Sequence, residues 1–306
     1  MDQREPAFVG REELEGLRPA RAGRLRCEGL WVAGSLVGLR GPAVALVGTR
    51  APSDGARSRA RVLGEALGRA GVAVVSGLAL GIDGAGHAGA LAGGGPTIGV
   101  LGGGHRAFYP LRNVPLAEAM LAAGGAVVSP FPPDEPARPP QFLMRNAIVA
   151  AFADALVVVE AAARSGALNS ASWAASFGID VLAYPGDVDR PKVAGCNALI
   201  RDGATLVRGP EDVLEALGVR APLAPDGAGE DRALERTGAG ATFEPAAQAL
   251  LRALAAGPCG YDELAERLAL PAAKLLATVV ELELAGALVC ADGRAALAPR
   301  SGAPSR

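Results

Sequence analysis

The sequence predicts an α/β fold: a doubly wound, Rossmann-like and mostly parallel sheet with a small C-terminal winged-helix domain. Three observations lead to this prediction. Short apolar runs of the kind that form fully buried parallel strands recur along most of the chain. Helical stretches separate these runs, and such alternation is typical of parallel sheets with right-handed crossovers. Near the C-terminus, a different pattern indicates three helices followed by a hairpin.

The six strand candidates each end in glycine, proline or polar residues. They begin at residues 44, 74, 97, 126, 155 and 181. The predicted helices between them cover residues 55–69, 83–91, 115–123, 142–152 and 168–177. Six strands are the number expected of a nucleotide-binding type of sheet.

The chain divides into four predicted segments. Residues 1–40 form a short polar lead and an edge strand within 30–36, and residues 41–218 form the Rossmann-like domain. Residues 219–242 are rich in Ala, Gly, Pro and charge without an apolar period, which favours a flexible linker. Residues 243–299 form the winged-helix domain.

The C-terminal prediction depends on helical spacing of leucine and valine. Residues 245–256, 261–268 and 271–285 are the three helices, and Asp292-Gly293 is a favoured hairpin turn between two short strands. The third helix offers only Lys274 against Glu281 and Glu283. Reading a major groove requires Arg, Lys, Asn or Gln at base edges, so protein docking or a structural role is favoured over duplex recognition.

Small and cationic residues follow the first two predicted strands. Gly48, Thr49 and Arg50 follow one strand, and Ser76 and Gly77 end the next. Open α/β sheets bind ligands at the carboxyl ends of their strands, and helix starts favour anions. The pattern therefore predicts an anion-binding crevice, although one such turn alone would equally fit an exposed arginine in a tight turn.

Composition limits the possible partners. The net charge is −2, and residues 41–218 carry 14 basic against 15 acidic side chains, so nucleic-acid binding would need a local arginine cluster. The four cysteines are far apart, which suggests reduced thiols in a cytoplasmic protein. The N-terminus does not resemble a signal peptide, and no run approaches the roughly 20 apolar residues that span a membrane. Two histidines are too few for most histidine metal sites, and no cofactor is predicted.

Known enzyme motifs fit the chain poorly. Residues 84–89 match G-x-G-x-x-G, but they start well after the strand, and no acidic residue between Asp83 and Glu118 could hold a ribose. Small residues that let a helix pack closely are the favoured interpretation. A nucleotide phosphoribohydrolase-like Rossmann enzyme stays open as an alternative. Glu160 could act as its acid, although the Pro-Gly-Gly-x-Gly-Thr loop of that family is missing.

The same segments resemble the DNA-processing protein A (DprA/Smf) family. The matching motifs follow the family's order and cover about residues 30–215. They include Val47-Gly-Thr-Arg50, Ser76-Gly-Leu-Ala-Leu-Gly-Ile-Asp83 with His87, Val100-Leu-Gly-Gly-Gly104 with Tyr109-Pro110, Phe142-Leu-Met-Arg-Asn146, Ser165-Gly-Ala-Leu-Asn-Ser-Ala171 and Gly195-Cys-Asn-Ala-Leu-Ile200. The chain departs from the family at Leu80 and Ala147, where arginines are usual, and within Ser165–Ala171, which is usually Ser-Gly-Ser-Leu-Ile-Thr-Ala.

The resemblance implies a non-enzymatic protein that binds single-stranded DNA and loads the RecA recombinase onto it during natural transformation. It also implies a homodimer formed through the α/β domain.

Single-strand binding needs cations, backbone N–H groups and a platform for bases. Arg50 is expected to pair with a phosphate, and Arg145, at the start of a helix, to add a second contact whose removal leaves stability nearly unchanged. Phe142 is expected either to stack a base or to lie in the core. The predicted DNA-binding residues are Gly48, Thr49, Arg50, Ser76, Gly77, Phe142, Arg145, Asn146, Ser165 and Gly166.

Overall fold

The computed structural model describes residues 5–18, 23–25, 27–219, 245–255, 257–284, 287–291 and 294–297. The chain forms two compact units, Met1–Pro222 and Leu223–Arg306. The predicted linker, residues 219–242, lies outside the described residues from 220 onward. Among the described residues, no helix is both long and apolar enough to cross a membrane.

A nine-stranded sheet runs through the first unit. Its order is β1-β2-β6-β5-β4-β3-β7-β8-β9, and the strands from β3 to β9 are mutually parallel. The strands are β1 (Ala7–Gly10), β2 (Gly29–Gly34), β3 (Ala43–Val47), β4 (Ala73–Ser76), β5 (Thr97–Val100), β6 (Ala126–Ser129), β7 (Ala155–Val158), β8 (Asp180–Ala183) and β9 (Thr205–Leu206).

Helices cover both faces of this sheet. They are α1 (Arg11–Leu17), α2 (Asp54–Arg69), α3 (Ile82–Ala92), α4 (Val114–Ala122), α5 (Pro139–Ala151), α6 (Gly166–Ser176), α7 (Ala194–Arg201) and α8 (Pro210–Ala216). Successive residues of β3 alternate between two cores because side chains of a strand point to opposite faces. Val44 and Leu46 pack with α2 and α8, whereas Ala45 and Val47 pack with α5 and α6.

The winding of the sheet reverses at β3. β4 lies on one side of β3 and β7 on the other, so the segments that leave these strands diverge and open a crevice at their carboxyl ends. Ligands of open α/β sheets bind at such a switch point. The doubly wound, mostly parallel fold predicted from sequence is confirmed, and all six predicted strands are present as β3–β8.

The predicted edge strand is in a different place. β2 is not at the edge: it lies between β1 and β6 and runs antiparallel to both. The four-residue β1 covers it, and Phe8 packs edge-on against Trp31 with ring centroids 5.5 Å apart. Strands as short as β1 and β9 carry too little periodicity to be predicted from sequence.

Glycines bring α2 and α3 into close contact. A Cβ on Gly64 would meet the Gly86 carbonyl oxygen, and a Cβ on Gly89 would meet the Arg61 carbonyl oxygen. Within the G-x-G-x-x-G segment, Gly89 is required by the close approach of the two helix backbones, and a Cβ on Gly86 would meet the Leu46 side chain of the sheet. The segment therefore serves close helix packing, as interpreted from sequence.

The second unit is a winged helix. It contains α9 (Pro245–Leu254), β10 (Cys259–Gly260), α10 (Tyr261–Leu268), α11 (Ala272–Leu284), β11 (Leu288–Ala291) and β12 (Arg294–Leu297). The three strands form an antiparallel sheet in the order β10-β12-β11. Leu250, Leu264 and Leu282 belong to its core. The predicted hairpin of β11 and β12 is present, and its Asp292-Gly293 turn lies outside the described residues.

Candidate functional site

A cavity of about 370 Å³ opens at the switch point of the sheet. The loops that follow β3 and β4, together with α5 and the start of α6, form its walls. Nine of the ten residues predicted to bind DNA line it: Gly48, Thr49, Arg50, Gly77, Phe142, Arg145, Asn146, Ser165 and Gly166. The topology thus brings together side chains that are more than 100 positions apart in sequence, from Gly48 to Gly166.

Ser76 is the predicted residue that does not line the cavity. Its side chain is fully buried, and its hydroxyl donates a hydrogen bond of 2.5 Å to the Leu46 carbonyl on the neighbouring strand. The assignment of Ser76 to the binding surface is therefore wrong. Its hydroxyl is used within the sheet.

Polar side chains hold the loop after β4 in a fixed conformation. Asp83 accepts a hydrogen bond of 3.1 Å from the Gly77 N–H, and Asn113 donates to the carbonyls of Leu78 and Ala79 at 2.9 and 3.0 Å. Leu78 has a φ of +52°, a region that non-glycine residues rarely adopt. Because Asp83 already occupies the Gly77 N–H, that group is not available to an anion.

Arg145 lies at the floor of the cavity and is 4% exposed. Its guanidinium donates to the carbonyls of Gly77 and Val100. Burial lowers the pKa of Arg145 to about 10, an effect that the negative charge of Asp83 opposes and the positive charge of Arg50 reinforces. The side chain is therefore still protonated at neutral pH, and it ties α5 to the ends of β4 and β5.

This position changes the expectation for Arg145. α5 begins at Pro139, so Arg145 lies in its second turn and not at its start. The guanidinium is already bonded to backbone carbonyls and faces a buried carboxylate. A mobile phosphate-binding role without consequence for stability does not fit these contacts.

Arg50 lies at the mouth of the cavity and is exposed. Its Cζ lies 5.2 Å from the centroid of the Phe142 ring, within the range of a cation–π contact. Arg50 makes no ion pair within the part of the chain that the structure describes. It is therefore a cation placed by a rigid strand end and one aromatic contact, with its donors free for a ligand.

An aromatic pair lies beside Arg50. The rings of Phe142 and Tyr109 have centroids 6.0 Å apart. Phe142 is half-buried and Tyr109 is 56% exposed. Because Arg50 covers Phe142, the more accessible ring is that of Tyr109, which the sequence-based site omitted. The Tyr109-Pro110 pair was visible as a motif, but only the fold shows that it lies against Phe142.

The start of α6 presents a backbone donor to the cavity. Ser165 is the N-cap, and its hydroxyl accepts a hydrogen bond of 3.3 Å from the Ala167 N–H. The Ser165 N–H donates to the Ala162 carbonyl at 3.0 Å. The Gly166 N–H makes no hydrogen bond to any described residue, so it remains available where the helix dipole favours an anion.

Two asparagines connect α5 with α6 at the cavity wall. Asn146 donates to the Asn169 side-chain oxygen at 3.2 Å and accepts from Arg145 Nε at 3.2 Å. Asn169 is one of the positions where the sequence departs from the family pattern. The departure adds a side-chain hydrogen bond between two helices that carry the site.

Glu160 holds the start of α2 by hydrogen bonds to Ser53. One carboxylate oxygen accepts from the Ser53 N–H at 2.9 Å and the other from the Ser53 hydroxyl at 2.6 Å. Ser53 in turn caps α2 by accepting from the Ala56 N–H at 3.3 Å. Glu160 is fully buried, so it positions a helix and does not face the cavity as a catalytic acid would.

His87 is a buried hydrogen-bonding residue. Its Nδ1 lies 2.6 Å from the Thr97 hydroxyl, which itself donates to the Val74 carbonyl at 3.0 Å. Burial lowers the pKa of His87 to about 3, with a smaller contribution in the same direction from the positive charge of Arg145. The imidazole is neutral at physiological pH.

The fold and crevice define a Rossmann-like α/β protein with an arginine and two aromatic rings at its switch point, followed by a winged-helix unit. A family model described as DNA recombination-mediator protein A matches residues 24–218. A second, described as the DprA winged helix domain, matches residues 221–294. The chain therefore belongs to the DNA processing protein A (DprA/Smf) family, and the resemblance drawn from its motifs is confirmed.

Two curated relatives cover most of the chain. A putative DNA processing protein DprA from Mycobacterium tuberculosis is 40% identical over 254 residues, which are 82% of this chain and 63% of that protein. Protein Smf from Escherichia coli is 37% identical over 271 residues, which are 86% of this chain and 70% of that protein. The chain thus spans slightly less than two thirds of the mycobacterial relative.

Two solved structures share the fold over about three fifths of this chain. DNA processing protein A from Streptococcus pneumoniae is 38% identical, with a TM-score of 0.58 over 61% of this chain and 66% of that one. A Helicobacter pylori DNA processing protein A, solved to explain its single-stranded DNA binding mode, is 26% identical, with a TM-score of 0.57 over 62% of this chain and 86% of that one.

Proposed function

We propose that this chain binds single-stranded DNA in the switch-point crevice and acts as a recombination mediator that loads RecA during natural transformation. The observation that carries the proposal is the pairing of an exposed arginine with an aromatic pair at the mouth of a narrow cavity. Cations for phosphates and flat surfaces for bases are the two requirements of single-strand binding. The relative from Helicobacter pylori, described as binding single-stranded DNA, supports the same function.

In this proposal Arg50 and the start of α6 bind the phosphates. Arg50 offers a planar guanidinium with free donors, and Gly166 offers a backbone N–H at a helix N-terminus. The buried charge of Arg145 adds positive potential from below without a direct contact. The main domain has no excess of basic residues, so these local groups supply the attraction.

In this proposal a base stacks on Tyr109 in preference to Phe142. A base that stacks directly on Phe142 would compete with the Arg50 guanidinium 5.2 Å away. The Tyr109 ring is exposed on the same side of the crevice and can take a base without displacing that contact. Stacking of this kind tolerates any base, as a mediator that handles arbitrary sequences requires.

A homodimer through the α/β domain is part of the proposal. One crevice holds few nucleotides, and two linked crevices raise the affinity for a long strand because the second contact forms at a high effective concentration. RecA loading in the cytoplasm is the step that such a dimer would serve. The family resemblance supports both the homodimer and RecA loading.

The alternative function, a nucleotide phosphoribohydrolase-like enzyme, depends on Glu160. Both oxygens of that carboxylate are bonded to Ser53, so it would first have to release the start of α2. We therefore propose no catalytic role. Release of free base from nucleoside monophosphates by the purified chain, lost in Glu160→Gln, would support the enzyme instead.

The chain is expected to bind single-stranded DNA far more tightly than duplex. The cavity is too narrow to admit a double helix, and a single strand can bend into it. Phosphate contacts release counterions, so the logarithm of the affinity should fall linearly with the logarithm of the salt concentration. Fluorescence anisotropy with matched single- and double-stranded oligonucleotides across a salt series measures both effects. Equal affinity for duplex, or no binding of either, would contradict the proposed function.

Deletion of residues 240–306 is expected to leave most single-strand binding intact. α11 carries Lys274 against Glu281 and Glu283, so the winged helix adds little attraction for phosphates. The comparison is the affinity of the full and shortened chains for one oligonucleotide, with circular dichroism to show that the α/β unit is folded. If a folded α/β unit binds almost no DNA, the DNA site lies in the winged helix.

A further inference from the structure

The solvent face of α11 carries an apolar stripe. Leu276 and Val280 are 48% and 53% exposed, and the side chains of Ala273 and Ala277 are exposed beside them. These four residues have the i, i+3, i+4, i+7 spacing that places side chains on one face of a helix. The opposite face of α11 contributes Leu275, Val279 and Leu282 to the core of the unit, so the stripe is additional to what the fold itself requires.

One charge of each sign borders the same edge of the stripe. Lys274 and Glu281 are both exposed, and neither forms an ion pair within the described parts of the chain. They are seven residues apart, so they lie at nearly the same angle around the helix, toward its two ends. A helix surface with a cation at one end and an anion at the other is complementary in charge to a second copy of itself that runs in the opposite direction.

We infer that α11 packs against α11 of a second copy, antiparallel and about a two-fold axis near Ala277. A two-fold axis places the same patch on both partners, which is the commonest symmetry of homo-oligomers. In this arrangement Lys274 of each copy lies beside the partner's Glu281, on both sides of the axis. A parallel arrangement would bring like residues together.

Small residues suit the centre of this contact. Ala277 lies within one residue of the midpoint between Lys274 and Glu281, and a small side chain at that point lets two helices approach closely. Packed helix axes lie about 8–10 Å apart and Cα atoms about 2.3 Å from each axis, so two Cα atoms that face each other at Ala277 come within roughly 3.5–5.5 Å. That separation is suitable for a disulfide.

The stripe alone is too small for a stable dimer. Specific interfaces bury about 1,200–2,000 Å² in total, more than four such side chains on each partner can supply. The inference therefore rests on the proposed homodimer of the α/β domain, which would hold two winged helices at a high effective concentration. Lys274 is the one basic residue of α11, against Glu281 and Glu283, so a duplex is not the occupant that the chemistry of this face favours.

Cysteine cross-linking in the full chain tests the pairing. Ala277→Cys is expected to give a covalent dimer under mild oxidation, several-fold above Ala272→Cys and the unmodified chain. Ala272 is exposed on the same helix, but in the antiparallel pair it lies about 16 Å along the axis from its copy. In the Ala277→Cys background, Lys274→Glu or Glu281→Lys alone should lower the yield about twofold, and the two together should restore it.

The outcomes separate this inference from the proposed function. A chain that sediments as a dimer and binds single-stranded DNA, but cross-links no better at 277 than at 272, overturns the α11 pairing alone. A chain that is monomeric and fails to cross-link overturns both the pairing and the homodimer. Leu276→Glu is then added to the Ala277→Cys chain. If cross-linking is unchanged but RecA loading is lost, the stripe binds RecA and the pairing is overturned.

Discussion

Arg50→Ala is expected to weaken single-stranded DNA binding tenfold to a hundredfold, the largest effect of any single exposed residue. A hydrogen bond to a charged group contributes about 1.5–3 kcal/mol, which converts to that range of affinity. Arg50 is fixed by the end of β3 and by Phe142, so little of its freedom is left to lose on binding. Leu80 and Ala147 stand where relatives usually carry arginine, so few other cations share the contact.

The melting temperature of Arg50→Ala should stay close to that of the unmodified chain, because its contact with Phe142 is at the surface. Arg61→Ala is the matched control. It removes one exposed arginine from α2 outside the cavity lining and should change the affinity for a short oligonucleotide little. Joint loss of fold and binding in Arg50→Ala would make Arg50 a structural residue, and unchanged affinity would remove it from the site.

Arg145→Ala is expected to be the most destabilising substitution in the crevice. It removes the guanidinium that bonds the Gly77 and Val100 carbonyls and leaves the charge of Asp83 buried without its cation. Losing these bonds together with the attraction between Arg145 and the buried Asp83 is comparable to removing one partner of a buried pair, which costs about 3–5 kcal/mol. For a domain of this size that loss lowers the melting temperature by roughly 6–20 °C.

The loss should depend on pH in a defined direction. Burial already raises the pKa of Asp83, and the charge of Arg145 partly opposes that rise. Without Arg145 the pKa rises further, so the folded variant binds the proton more tightly than the unfolded chain. Its stability therefore falls as pH increases through the raised pKa, and the deficit relative to the unmodified chain should be smaller at pH 5 than at pH 7.

Urea denaturation of Arg145→Ala at both pH values measures this dependence, and Asp83→Asn in the same background provides the control. The asparagine side chain keeps an acceptor for the Gly77 N–H without the buried charge, so the double variant should recover part of the stability. If Arg145→Ala is as stable as the unmodified chain but binds DNA poorly, Arg145 contacts phosphate directly, as the sequence alone suggested.

The sheet was predictable because its signal is local. Six apolar runs that end in glycine, proline or polar residues correspond to β3–β8, and the switch point follows from the general rule that such sheets bind ligands at their carboxyl ends. The helix predicted to begin at residue 142 begins three residues earlier, at Pro139, which is followed by a second proline, Pro140. Proline is in fact favoured in the first turn of a helix.

Side-chain roles within the crevice were less predictable, for a physical reason. Ser76, Gly77 and Arg145 have the residue types that an anion site uses, and a sequence does not show whether such groups face a ligand or other protein groups. Here each group bonds to the protein itself: Ser76 to the Leu46 carbonyl, the Gly77 N–H to Asp83, and Arg145 to two backbone carbonyls. Tyr109 was omitted for the converse reason, since its contact with Phe142 exists only once β5 and α5 are packed.

Photo-cross-linking locates the bound strand most directly. A short oligonucleotide with a photoreactive base is irradiated with the full chain, and the modified peptides are sequenced by mass spectrometry. We expect adducts on Tyr109 or Phe142, and their loss in Arg50→Ala at the same DNA concentration. Adducts confined to residues 245–297, with none at the switch-point crevice, would contradict the proposal that this crevice binds single-stranded DNA.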